Sequence, residues 1–401
     1  MLLISYKTQK KHYGLGCRLY LAAIIAIPFF IMTFNPHKKY SQPILKLHQP
    51  DDTYKKLPLP APGGSYPYHL DVEKVTTVPH EKFSFHMVGD TGGVRYPEGQ
   101  QKVAREMYLQ TLDSKGESPA FLYHLGDVVY HFGEADQYER QFFKPYREYP
   151  GPIFAIAGNH DSDINPANPV PYKSLDAFTA VFCDTQSRDI SFIANKQRKS
   201  MVQPNVYWTL QTPLANIIGL HSNVPKYGYI DENQRKWFVE ELKTAAAQRP
   251  GKAIILCVHH APYTADVNHG SSLYMIEFLE AAFNESGVRP DIVFSGHVHN
   301  YQRFHKTYND GKVLPFIVCG AGGFDELHDL VNEGDSNYSP KHPLLDNVHL
   351  ENYCVMKHGF LKLTLERKPT GIALSGEYYV LGAATESNPE AELKDTFEYL
   401  V

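Results

Sequence analysis

Cysteine is scarce. The 401 residues contain five, Cys17, Cys183, Cys257, Cys319 and Cys354, at irregular spacings, which excludes a disulfide framework or a Cys-rich zinc site. Cys257 and Cys319 lie in apolar runs and read as core residues, while a Cys183–Cys354 pairing is left open. Charge of one sign is lacking too. With Lys+Arg at 39 against Asp+Glu at 44, the formal net charge is −5, so no nucleic acid partner is expected and an anionic ligand has to be held locally. There is no internal repeat, and no Ser or Cys sits in a recognisable nucleophile motif.

Long apolar runs are nearly absent. The exception, Leu19 to Phe34, follows Lys7, Lys10, Lys11 and Arg18 and would span about 24 Å as a helix. That is short for a bilayer, yet no small-x-small cleavage site follows Phe34. Residues 1–40 therefore read as an uncleaved signal anchor, with a cleaved signal peptide or an ordinary buried helix as alternatives. Basic residues flank the run on both sides and specify orientation weakly; if the N-terminus stays cytoplasmic, the remainder lies outside the cytoplasm, anchored to the membrane or secreted. Residues 41–80 include Leu57-Pro58-Leu59-Pro60-Ala61-Pro62, carry no sustained period and read as a Pro-rich linker. Residues 81–401 are expected to form one catalytic domain. Oligomeric state is not legible.

What is present is a series of five short blocks: Gly89-Asp90-Thr91-Gly92, Gly126-Asp127-Val128-Val129-Tyr130, Gly158-Asn159-His160-Asp161, Val258-His259-His260-Ala261-Pro262 and Gly296-His297-Val298-His299. Each follows a run of apolar β-formers, as in FSFHMVGD, FLYHLGD and IFAIAGNHD. Carboxylate, phenol, amide and imidazole groups at successive strand ends converge on one sheet edge, where open α/β sheets bind ligands. Helical spacing over about Glu98–Leu112 and Ala135–Tyr146 alternates with these strands. A further helix starts at Asp231, a plausible N-cap, and stops at Arg249-Pro250-Gly251, and another covers Ser272–Phe283. The late segments Phe360–Leu365 and Ala373–Leu381 read as antiparallel strands, expected to form a second sheet that completes a sandwich.

The ordered set of blocks resembles the calcineurin-like metallophosphoesterases, and specifically the purple acid phosphatases, over roughly Phe83 to Gly323. That resemblance implies a four-layer α/β/β/α sandwich with two mixed β-sheets flanked by helices. It implies that Asp90, Tyr130 and His299 bind one metal, that Asn159, His260 and His297 bind the other, and that Asp127 bridges them. His260 is chosen over His259 because it matches the family's His-x-Pro spacing, which leaves His259 as a packed or supporting residue. The family's phenolate ligand calls for Fe(III), since free Tyr has a pKa near 10; the second ion is Fe(II), Zn(II) or Mn(II).

Two metals about 3.5 to 4 Å apart can activate a shared water and clamp phosphoryl oxygens during in-line attack. The expected activity is hydrolysis of a small phosphate monoester, with His160 and, nine residues after His260, His269 as catalytic, substrate-facing histidines. Arg95, Lys226 and Arg303 are weaker candidates for substrate contact. A phosphodiesterase or nucleotide pyrophosphatase is the alternative on the same fold, and a non-catalytic phosphate-binding surface module is the third reading. The loops Asp161–Gln203 and Asp325–Glu351 would set the choice of substrate.

Overall fold

The computed structural model describes residues 38–112, 118–194, 198–382 and 391–401. The apolar run Leu19–Phe34 lies outside them. Among the described residues no helix is long and apolar enough to cross a membrane.

In chain order the strands are β1 (Leu45–Lys46), β2 (His69–Asp71), β3 (Lys82–Val88), β4 (Leu122–His124), β5 (Ile153–Ala155), β6 (Trp208–Gln211), β7 (Ala215–Leu220) and β8 (Ala253–Val258). They continue as β9 (Ile292–Ser295), β10 (Tyr301–Thr307), β11 (Val313–Cys319), β12 (Tyr338–Ser339), β13 (Val348–Cys354), β14 (Gly359–Lys368), β15 (Gly371–Val380) and β16 (Glu392–Leu400). The α-helices are α1 (Glu98–Leu112), α2 (Asn159–Ser162), α3 (Asp176–Phe182), α4 (Glu232–Ala246) and α5 (Leu273–Ser286).

Two mixed sheets carry the fold. One has the order β16-β15-β14-β3-β4-β5 and the other β13-β10-β11-β9-β8-β7-β6-β2. In the first, β3, β4 and β5 run parallel; in the second, β7, β8, β9 and β11 do. Strand alternation sorts the apolar residues into layers. Along β8, Ile255 and Cys257 join Phe85, Tyr123 and Trp208 in the core between the sheets. Ile254, Leu256 and Val258 face the other way, onto Trp237 and Leu242 of α4 and Ile276 and Leu279 of α5. On the opposite flank, Val103 and Met107 of α1 pack with Val88 and Leu122. The result is the expected α/β/β/α sandwich.

Both long helices on the second sheet begin as anticipated. Asp231 accepts from the Gln234 N–H at 2.8 Å and Ser272 from the Met275 N–H at 3.0 Å, each satisfying one otherwise unbonded first-turn donor. Three expectations need correction. Ala135–Tyr146 is a short 3₁₀ turn followed by a π-helical turn over Glu139–Phe143, a winding that buries the adjacent Phe142 and Phe143 together with Tyr138 and Tyr146. The late strands β14 to β16 do not found the second sheet; β14 pairs antiparallel with β3 and extends the first. Nor are residues 41–80 a free linker. Strand β2 is the edge of the larger sheet, parallel to β6, and Ile44, Leu70, Val72 and Val78 are buried. All four described cysteines are free, Cys183 and Cys354 included.

Candidate metal centre

The parallel strands end along one edge, and the five blocks meet there. Three of their residues adopt left-handed backbone conformations, Asp90 (φ 58°), Asp127 (φ 52°) and His297 (φ 67°), which side-chain-bearing residues seldom occupy and which concentrate at functional sites. The turns are interlocked. Asp90 N–H donates to Gly126 O at 3.0 Å, and the His297 N–H donates to Asp90 Oδ2 at 2.8 Å. Buried Asp161 accepts from the N–H groups of Val128, Val129 and Gly158 at 3.0, 3.1 and 2.9 Å, joining the second and third blocks. Gly126 (φ 96°) must be glycine twice over, because a Cβ there would lie 2.5 Å from His259 Nδ1.

Four of the predicted residues form one half of the site. Tyr130 Oη lies 3.3 Å from Asp90 Oδ1 and 3.3 Å from His299 Nε2, with Asp127 beside them. The Gln141 amide grips the Tyr130 backbone, accepting from its N–H and donating to its carbonyl, both at 2.9 Å. The ring stacks on Phe324 with centroids 3.8 Å apart. His299 Nδ1 is 2.8 Å from the Glu326 carbonyl, so that nitrogen donates and Nε2 keeps its lone pair toward Tyr130.

The other half holds Asn159 and His297, with His260 joined to them through its ring, whose centroid is 4.3 Å from that of His297, while the histidine that meets Asn159 directly is His259. His297 Nδ1 is 2.9 Å from Asn159 Oδ1. His260 Nδ1 is 2.7 Å from Ser222 Oγ, and its Nε2, like that of His297, is buried without a hydrogen-bond partner. His259 lies beneath, fully buried, with Nδ1 2.8 Å from the Leu125 carbonyl and Nε2 3.1 Å from Asn159 Oδ1 and 3.4 Å from Asp127 Oδ2. Asp127, His259 and His297 bring one donor atom each within 4.8 Å of one another. The His-x-Pro spacing leaves His259 a supporting role and carries no sign of how closely it meets both Asp127 and Asn159.

The electrostatics favour a cation. Burial pushes the Asp90 carboxyl up, and the neighbouring Asp127 adds to this. Asp127 is also penalised by burial, but His259 and His160 outweigh that and hold it below the usual range. His259 is opposed by burial yet raised to about 9 by the carboxylates. Burial, then Asp127 and Asp90, push the Tyr130 phenol well above its ordinary value. Burial holds His260, His297 and His299 neutral, the form in which imidazole binds metal. Buried carboxylates, neutral imidazoles and two unpartnered Nε2 atoms fit a metal centre.

A cavity of about 410 Å³ opens over this edge, lined by Asp127, Asn159, His160, His297 and His299, and also by Lys226, His269 and His328. His160 Nδ1 is 2.8 Å from the His131 carbonyl and its N–H donates to Asp127 Oδ1 at 2.9 Å. His269 sits with its ring centroid 4.3 Å from that of His297. Arg303 is elsewhere, bonded to Asp395 at 2.7 Å, and Arg95 is exposed. His328 and Asp266 escaped the sequence reading, since neither stands in a motif. Asp52 and Lys55, from the segment read as a linker, also line the cavity.

The calcineurin-like phosphoesterase family model matches residues 83–301, more than half of the chain and the span that holds all five blocks. The chain belongs to that family. Members of this metallophosphoesterase family bind a dinuclear metal centre, in keeping with the His and Asp clusters found here. Purple acid phosphatase 21 of Arabidopsis thaliana is 26% identical over 179 residues, 43% of this chain and 36% of the relative. Purple acid phosphatase 22 of the same plant is 32% identical over 136 residues, 31% of this chain and 29% of the relative. An uncharacterized protein of Mycobacterium tuberculosis is 25% identical over 164 residues, 38% of this chain and 28% of the relative. The chain thus spans about a third of the length of the curated relatives it matches. Among solved structures, GAP50, the anchor in the inner membrane complex of Plasmodium, aligns with a TM-score of 0.51 at 15% identity over 80% of this chain and 89% of that one, a likeness of fold alone.

Proposed function

We propose that this metallophosphoesterase hydrolyses small phosphate monoesters at a dinuclear centre. The observation that carries the reading is the convergence of seven side chains from five strand ends beneath one cavity. Asp90, Tyr130 and His299 would hold one ion, Asn159, His260 and His297 the other, with Asp127 between them. When bound, such a pair lowers the pKa of a shared water and neutralises phosphoryl oxygens. The first donor set suits a hard, highly charged ion such as Fe(III), because a phenol raised by two carboxylates ionises only beside a strong Lewis acid. Amide oxygen and two imidazoles suit Fe(II), Zn(II) or Mn(II).

The chain's own groups supply the rest. With Nδ1–H donated to the His131 carbonyl, the imidazolium form of His160 carries its second proton on Nε2, from which it can pass to the leaving oxygen. His269 and Lys226 line the same cavity, and the Lys226 cation favours a dianionic monoester over a singly charged diester. The purple acid phosphatase relatives support this choice. The apolar run Leu19–Phe34 supports an extracytoplasmic location, anchored or secreted.

The test compares hydrolysis of an aryl phosphate monoester with that of its diester, across pH 4 to 8, after loading with iron and zinc or manganese. Faster monoester cleavage with an acidic optimum is expected. Diester preference near neutral pH would move the function to phosphodiesterase.

A further inference from the structure

Asp266 lies in the loop after β8 and is completely buried, yet none of the five blocks includes it. Its carboxylate lies between two imidazoles. Oδ2 accepts from the N–H groups of Asn268 and His269, each at 2.9 Å, and lies 2.9 Å from His269 Nδ1. Oδ1 faces His328 Nδ1 at 3.3 Å, an ion-pair contact in which neither atom makes a hydrogen bond. Burial opposes the charge, but the two imidazoles outweigh it and hold the carboxyl well below its usual range.

Each of these imidazoles backs onto a histidine of the candidate centre. The His269 ring lies 4.3 Å from His297, and the His328 ring is stacked 4.3 Å from His299 at 25°. The two loops are also tied through the backbone: Val331 N–H donates to Ala265 O at 2.9 Å, and Val267 N–H to Asp329 O at 3.2 Å. The histidines differ in what they have left over. His328 has Nδ1 against Asp266 and Nε2 2.7 Å from the Asn268 side-chain amide. His269 has only Nδ1 engaged. A carboxylate accepting from Nδ1–H fixes the tautomer and the ring direction, which leaves Nε2 to accept from the P–OH of a protonated phosphate or, in the imidazolium, to donate to its oxygens.

We propose that Asp266 is a positioning residue that clamps the loops carrying His269 and His328 and aims Nε2 of His269 at the phosphate group in the cavity, with His328 as the prop on the far side. This rests on the phosphoesterase reading of the same cavity. Asp266 touches neither substrate nor metal and acts through His269.

The experiment uses the full chain loaded with metal and reads three quantities: metal per chain, kcat/KM for an aryl phosphate monoester, and the Kd of inorganic phosphate. Asp266→Asn and His269→Gln are each expected to lower kcat/KM and phosphate affinity roughly tenfold or more with two ions retained. The double variant is expected to be no worse than His269→Gln alone. Full additivity in the double variant, or unchanged phosphate affinity in folded Asp266→Asn, would overturn the proposal. So would a third ion in the parent that Asp266→Asn loses, since Asp266, His269 and His328 would then be a metal site of their own. Should Asp266→Asn fail to fold, His328→Phe decides: it keeps the stack on His299, and a severalfold loss of phosphate affinity is expected, with no change counting against the clamp. If the parent binds phosphate but shows no turnover, the proposed function fails while the phosphate comparison still judges the clamp.

Discussion

His260 Nδ1 is held 2.7 Å from the hydroxyl oxygen of Ser222, and Nε2 of the same ring is buried without a partner. A buried imidazole nitrogen with nothing to bond is costly unless a ligand completes it. His259 next to it is in the opposite condition, with both ring nitrogens engaged. His260→Ala is therefore expected to lose one of two bound ions. His259→Ala is expected to keep both at roughly 10- to 100-fold weaker affinity, as for residues that orient ligands. Metal analysis after dialysis separates the two; the reverse pattern would exchange their roles.

Tyr130 offers a spectroscopic check. The Phe324 stack and the Gln141 grip on its backbone do not depend on the hydroxyl, so Tyr130→Phe should fold. With iron bound, the parent is expected to show a visible phenolate-to-Fe(III) band that the variant lacks. An identical band in Tyr130→Phe would remove this residue from the centre.

His160 touches the site through its backbone N–H to Asp127, a contact that survives truncation of the side chain. His160→Ala should lower kcat on the order of a hundredfold, the scale of a lost general acid, with both ions retained. An unchanged rate in a folded variant would exclude it from proton transfer.

The strand-end blocks are readable from the chain because apolar β-formers run straight into a turn and a ligand, as FLYHLGD does before Asp127. Helix α4 is readable because Asp231 caps it and its apolar residues recur at helical spacing. Pattern fails where contacts are not periodic. Val72 and Val78 join a core made mostly by strands far away in sequence, so residues 41–80 read as a linker although β2 forms the edge of the larger sheet. The pairing of β14 with β3 is likewise invisible in either strand alone. Asp266 and His328 meet only because two loops cross, and nothing local to either announces it.

Stability should depend on pH through His86. It is fully buried, 3.1 Å from Tyr149 Oη and 3.0 Å from Gln110 Oε1. Burial pushes it down to about 3, partly countered by Gln110. A depressed folded value means that the unfolded chain takes up the proton first. The stabilisation is thus complete above pH 6.5 and is lost as pH falls toward 3, at about 1.4 kcal/mol per pH unit. Between pH 7 and 5 the loss of unfolding free energy in urea should be about 2 kcal/mol smaller for His86→Gln than for the parent. An equal loss in both would assign the acid sensitivity to other groups.

The most direct measurement is a metal titration of the apoprotein that follows bound ions and turnover of an aryl phosphate monoester together. Turnover that is negligible with the first ion and rises to its limit as the second binds is the expected result. Two ions bound with no turnover of monoester or diester above the apoprotein would contradict a hydrolytic role for this centre.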